Sequence, residues 1–528
     1  MTHNSKYLII DLEIVREKGF EYFVKSEKWP VSENDFHQFS DFVRSLYNRL
    51  VSSVDDSEVL DIALVESVFV NQMVNIFHYN YVDKYCKINN IKLIGGGNKS
   101  SHYLNPAWSS IGEYYSNLTA SYNKVTRFFR NKVKNIVFNN HLSFRKMVYG
   151  FFIGSEVVGI GSNDRIKQDY VINNNLFCDN KDGYALIDNA LAFCLKNNSD
   201  SIHQFSELVS EKIIEPFMYE LCTNDSLFVK GIDCDAIKKA WLQRFLDAYK
   251  IYKGLFLITC PKTLLVTEVG KPHSKLITLV FQRRGCKVFN FHHGNDSVLV
   301  NQYWVYQTLF NHCDNYVVDT KKMCERFKVL NNNEIDIRNK VTRFISVDSD
   351  YYSELRKSIH SVNCKKIMLM GYPMNLDRYP DEAYLFFHYK LKLEYMLADI
   401  ISSSGYHVTY KSHPDRLEEI GSIMLDVSDR IIGEPFENVW RSADVLIFTY
   451  VPTTTFCYAL NLPIPIVLIE IPGTPWYKNM REVVENRVSI LTAQMVDERI
   501  VVDKNELLGK ISEACNKIYQ DVAIEVTG

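Results

Sequence analysis

Apolar positions fall into two arrangements along this 528-residue chain. In the N-terminal half they recur mostly at helical spacing. Val59 to Phe77 is apolar on nearly every side and predicts a buried helix. Amphipathic pieces at Ala185 to Leu195 and Ile232 to Tyr252 predict that residues 105–250 are a mainly helical insertion. Short strands are expected at Tyr7 to Leu12 and Ile91 to Ile94, the second running into Gly95-Gly96-Gly97.

After residue 250 the pattern changes to short apolar runs alternating with helical stretches. Strands are predicted at Leu255–Thr259, Thr263–Thr267, Val288–Phe291 and Tyr316–Val318, with a helix over Ser274–Arg284. Residues 328–363 are polar and read as a connection between lobes. The alternation resumes with strands at Lys366–Met370, His407–Tyr410, Arg430–Ile432, Val445–Phe448 and Pro465–Ile469. Leu393, Met396, Leu397, Ile400 and Ile401 mark the helix between the first two. Strands alternating with helices imply parallel sheets, with ligands at the carboxyl ends of the strands. The predicted fold is therefore α/β, with two Rossmann-like lobes facing a cleft. Residues 1–335 would form the N-terminal acceptor-side lobe, 336–500 the nucleotide-binding lobe, and 501–528 a terminal helix.

Composition narrows the function classes. Hydrophobic residues make up 46% and charged residues 23%, ordinary for a globular protein. With 60 Lys plus Arg against 63 Asp plus Glu, the net charge is −3, and there is no global nucleic-acid signature. None of the twelve cysteines forms a C-x-x-C pair or shows metal-ligand spacing, so free, mostly buried thiols in a reducing compartment are expected. Asp11 and Glu13 interrupt the first apolar stretch, which argues against a signal peptide. Pro452, Pro463 and Pro465 interrupt the most apolar segment, which argues against a membrane span. A cytoplasmic location is expected, with any inner-membrane association peripheral.

Three groups of residues sit where chemistry belongs. Lys411-Ser412-His413-Pro414 follows a strand; the proline restricts the histidine, whose imidazole can donate to a phosphate, and the lysine adds charge. Thr453-Thr454-Thr455 lies between a buried strand and a helix and supplies hydroxyls and helix N–H groups. Glu268 and His293-Gly294 each follow a strand of the other lobe, where a carboxylate can take a proton from an acceptor hydroxyl or act as nucleophile. Gly371 closes the first C-terminal strand and Glu434 follows the third. Each group alone has a structural explanation, as a capped loop, an N-cap or a surface carboxylate. Asp348-Ser349-Asp350 has D-x-D spacing but lies in the polar connection, so no metal is assigned.

Taken in order, Leu264 to Gly294, Lys411 to Pro414 and Thr453 to Leu460 resemble blocks of bacterial GT-B glycosyltransferases of capsule and lipopolysaccharide synthesis. Kdo transferases are the nearest in pattern. CDP-glycerol glycerophosphotransferases share similar blocks, and bacterial sialyltransferases also use a His-Pro motif. The resemblance spans residues 260–475, about 40% of the chain. It departs at His292-His293-Gly294, where the relatives carry Gln-His-Gly. It implies a CMP-activated sugar as substrate, without cofactor or metal, and a glycan or glycolipid acceptor. His413 and the Thr453 to Thr455 loop would hold the nucleotide phosphate, with Lys411, Pro414 and Gly371 in the same nucleotide-binding set and Glu434 at the ribose; Glu268 would be the catalytic carboxylate, and His293 would face the acceptor or the donor carboxylate. A polyol-phosphate transferase and a non-catalytic glycan-binding protein on the same fold remain alternatives.

Overall fold

The computed structural model describes residues 6–95, 135–143, 146, 156–162, 164–194, 199–267, 269, 271–292, 299–300, 310–331, 341–360, 363–372, 387–413, 417–451, 453–496 and 499–517. Near the N-terminus, β1 (Tyr7–Ile9) pairs in parallel with β2 (Lys92–Ile94), and the helices Glu33–Ser52 and Ser57–Ile88 lie between them in sequence. The first six-stranded sheet contains β3 (Val157–Ile160), β4 (Asp179–Asn180), β5 (Thr263–Val266), β6 (Lys287–Phe291), β7 (Asn315–Val318) and β8 (Arg343–Ser346). The second contains β9 (Lys366–Met370), β10 (His407–Lys411), β11 (Arg430–Ile432), β12 (Val445–Phe448), β13 (Ile466–Glu470) and β14 (Ser489–Thr492).

Both sheets are parallel throughout. Parallel sheets are covered on both faces, so their strands carry continuous apolar runs. Val445–Phe448 and Ile466–Glu470 accordingly have every residue buried. The first sheet has the order β4-β3-β5-β6-β7-β8 and the second β11-β10-β9-β12-β13-β14. Counted from its own first strand, the second reads 3-2-1-4-5-6, the order of doubly wound nucleotide-binding folds. The chain reverses its winding between β9 and β12, and in the first sheet between β3 and β5. Such reversals leave a crevice at the carboxyl ends of the diverging strands.

Four expectations are corrected. The mainly helical insertion expected over 105–250 is narrower among the described residues: β3 and β4 lie within that range and begin the first sheet, and the helical excursion runs from Gly183 to Leu255, between β4 and β5. Leu255–Thr259 is not a strand, because Leu255 ends the helix Cys234–Leu255. The polar segment after residue 328 contains β8, so the first lobe extends to Ser346 rather than ending at residue 335. The twelve cysteines are not all free either: Cys222 pairs with Cys234 and Cys364 with Cys515.

The helix Ser57–Ile88 is long and apolar enough to cross a membrane, but 88% of its most apolar window is buried in the protein. Its inward polar groups are satisfied within the fold. Asp61 accepts from Arg283 and from Tyr252 (3.0 Å), Glu66 from Arg244 (2.8 Å) and His78 from Trp29 (3.0 Å).

Segments that follow strands of the first sheet meet segments that follow strands of the second. Val300, beyond β6, bridges to Trp476, beyond β13, and the Tyr477 N–H donates to the Leu299 carbonyl at 3.1 Å. Tyr351, beyond β8, packs on Tyr458 in the helix Thr454–Leu460 that follows β12. The N-terminal segment also reaches the second lobe, where Phe20 stacks on Tyr395 at 3.5 Å.

Candidate functional site

The carboxyl edge of the second sheet is built by hydrogen bonds that carry each strand into its turn. The Gly371 N–H donates to the Lys411 carbonyl and the Ser412 N–H to the Ile432 carbonyl, both at 2.9 Å. The ends of β9, β10 and β11 are thereby locked side by side. Lys411 is buried, and its amine donates to the Ser412 carbonyl at 2.6 Å. Burial lowers its pKa, while the carboxylates of Glu437 and Glu434 oppose that shift. Lys411 therefore shapes the turn from inside, and His413, half-buried, is the residue that the turn presents.

The threonine turn follows β12. The Thr453 hydroxyl caps the helix Thr454–Leu460 by accepting from the Thr455 N–H at 3.3 Å. Thr454 is exposed and Thr455 half-buried. The Ser412–His413 turn and the threonine turn flank β9 on the same edge of one sheet. Adjacent strands lie about 4.8 Å apart, so the two strand ends are separated by about 10 Å. Glu434 is exposed and follows the edge strand β11, on the far side of the histidine turn.

Gly371 has a structural reason for its identity. A Cβ there would overlap the hydroxyl and ring of Tyr410. The position is glycine because a neighbouring strand's tyrosine fills the space.

The chain matches no protein-family model and no curated protein.

At the split of the second sheet lie two charged residues that the sequence pattern did not single out as functional. Lys390 and Glu394 are fully buried on the helix Phe387–Ser403. Lys390 donates to the Thr449 carbonyl at 2.9 Å and to its hydroxyl at 2.7 Å. Glu394 accepts from the Tyr372 N–H at 2.9 Å and from the Tyr410 hydroxyl at 2.7 Å. Burial raises the pKa of Glu394, opposed by Lys390 and by these donors. The available signal was a Lys and a Glu four residues apart, in phase with the apolar stripe through Leu397 and Ile401.

The carboxyl edge of the first sheet carries a second polar set. The Ser162 hydroxyl donates to Asp164 at 2.6 Å and lies 3.2 Å from the Thr267 hydroxyl. Arg165 pairs with Asp319, which follows β7, and donates to Ser349 at 2.9 Å. Its guanidinium stands 3.9 Å over the Tyr351 ring. Lys275, in the first turn of the helix after β5, lies 3.4 Å from His312, and full burial lowers its pKa to about 7. Glu268, His293 and Pro414 lie outside the described residues; Thr267, His292 and His413 mark where the chain reaches them.

Asp348 pairs with Lys321 at 3.3 Å, and Asp350 occupies the N-cap position of the helix Tyr351–Arg356 without a side-chain capping bond. Among the described residues, no group of three or more His, Cys, Asp or Glu is gathered to hold a metal.

Proposed function

We propose that the chain is a two-lobed glycosyltransferase of the GT-B type, moving Kdo or a related ulosonic acid from a CMP-activated donor to a bacterial surface polysaccharide or glycolipid. One observation carries the reading. The second sheet has the 3-2-1-4-5-6 order, and the His413 turn and the Thr454–Thr455 turn flank its central strand β9 on the carboxyl edge. Doubly wound sheets bind nucleotides at that edge.

In this reading His413 and the threonine hydroxyls donate to the phosphate of the departing CMP. Fixed donors stabilise charge that develops in the transition state without having to reorganise. Glu434 reaches the ribose. The first lobe receives the acceptor, with Glu268 taking the acceptor proton and His293 facing the acceptor or the donor carboxylate. The reaction belongs on the cytoplasmic side, where nucleotide donors are available, with the acceptor at or near the inner membrane; the two cystine pairs are an exception to the reduced thiols usual there.

A thermal-shift panel of CMP, CDP, UMP, UDP, GDP and ADP tests the reading. A ligand that binds the folded state alone raises the melting temperature by mass action. A selective rise with cytidine nucleotides is the expected result. A rise with uridine or guanosine nucleotides alone overturns the CMP donor, and no rise with any of the six overturns the transferase.

A further inference from the structure

The chain reverses its winding in the second sheet between the paired strands β9 and β12, and each of these strands is followed within two residues by a tyrosine. Tyr372 comes after Gly371 and Tyr450 after Thr449. Their rings meet edge to face, with centroids 4.7 Å apart at 89°. Both tyrosines are half-buried and so keep some accessible surface.

Behind them stand the two buried residues of the helix Phe387–Ser403. The Lys390 ammonium lies 5.2 Å from the centroid of each ring while it holds both polar atoms of Thr449. Glu394, one helical turn on, holds the Tyr372 N–H and the Tyr410 hydroxyl. Two side chains of one helix thus fix the backbone on both sides of the split, where the sheet's own ladder ends. Burying charged groups is costly, and a well-packed apolar pair would usually serve stability as well or better. The arrangement makes sense where two turns must keep one geometry for a ligand.

We propose that Tyr372 and Tyr450 form the seat for the base of the donor nucleoside, and that Lys390 and Glu394 are positioning residues that hold this seat open before the donor arrives. The proposal rests on the nucleotide reading above and names the residues of that site which meet a planar heterocycle. A base stacks on an exposed aromatic face in any sequence context. The cation lies 5.2 Å from both ring centroids and so restrains the pair together. The His413 and threonine turns, on either side of β9, then lie within a nucleotide's length of the base.

The test is calorimetric titration of the full chain with CMP and, separately, with ribose 5-phosphate, which lacks the base. Tyr450→Ala and Tyr372→Ala are expected to weaken CMP binding about tenfold or more and to leave ribose 5-phosphate unchanged. Tyr450→Phe and Tyr372→Phe keep the ring and are expected to stay near the parent. Equal loss for both ligands, or Phe variants as weak as the Ala variants, overturns the base seat. For the positioning pair, Glu394→Gln keeps an acceptor for the Tyr372 N–H and is expected to restore the CMP affinity that Glu394→Leu loses. Gln as weak as Leu, or a folded Leu variant with parental affinity, overturns the positioning role. If the unsubstituted chain does not bind CMP, the cytidine reading itself fails, which is distinct from parental binding in the tyrosine variants.

Discussion

The guanidinium of Arg244 donates from Nε to Glu66 at 2.8 Å, and both side chains are excluded from solvent between the helices Ser57–Ile88 and Cys234–Leu255. Arg244 also stands 4.3 Å over the Phe69 ring. Glu66 belongs to the apolar N-terminal core helix and Arg244 to the helical excursion before β5, so this pair joins the two helical regions beside the first sheet. Removing one partner strands a buried charge. Arg244→Met is expected to cost about 3–5 kcal/mol in urea unfolding. Adding Glu66→Leu should recover most of that loss. A single variant as stable as the parent would show that the pair is dispensable.

His78 lies in the same core helix, accepts from the Trp29 indole, and is held neutral: burial pushes its pKa down to about 3. The unfolded chain protonates near pH 6.5. Between those values the unfolded state binds a proton that the native state refuses. The stabilisation is therefore complete above pH 6.5 and is lost as pH falls toward 3, at about 1.4 kcal/mol per pH unit. His78→Gln keeps an acceptor for Trp29 and removes the titration. Its stability should fall by about 2 kcal/mol less than the parent's between pH 6.5 and pH 5. Parallel pH profiles would reject the assignment.

Gly371→Ala drives a methyl group into Tyr410, a fully buried residue with no room to retreat. An overpacked core position costs about 1–3 kcal/mol. Displacing Tyr410 also removes its hydrogen bond to Glu394, so on the proposed nucleotide reading CMP affinity should fall along with stability. In a Tyr410→Ala background the added methyl should be tolerated. Additive losses in the double variant would mean that the two residues do not share this space.

The two cystine pairs give a direct chemical count. Twelve cysteines less the four in Cys222–Cys234 and Cys364–Cys515 leaves at most eight titratable thiols in denatured, unreduced protein. Cys364–Cys515 ties the approach to β9 to the C-terminal helix Lys504–Asn516 across 151 residues. Closing so long a loop stabilises by about 5 kcal/mol in the chain-entropy model, so reduction should lower the melting temperature. A count of twelve thiols would restore the reading of a fully reduced chain, which the sequence favoured because its cysteines show no local pairing pattern.

Much of the second lobe was legible in the residues themselves. Lys366–Met370, Arg430–Ile432 and Val445–Phe448 are predicted and observed with the same bounds. The turns carrying His413 and Thr453 were placed after the right strands. The first lobe was harder. Val157–Ile160 and Asp179–Asn180 are too short to show a period, and β8 is a four-residue strand in a polar stretch. Such strands exist because a neighbouring edge pairs with them, which no local pattern records.

Side-chain periodicity is a local property, and it was enough to determine that this chain alternates strand with helix and buries parallel strands on both faces. Strand order is a non-local property and came only with the tertiary structure. Packing β9 between β10 and β12 creates the split, brings Lys390 and Glu394 beneath it, and gives Gly371 the Tyr410 ring as a neighbour. The physical reason is that a charged residue in an apolar stripe costs free energy wherever it lies. Whether that cost is offset depends on partners contributed by strands far away in sequence.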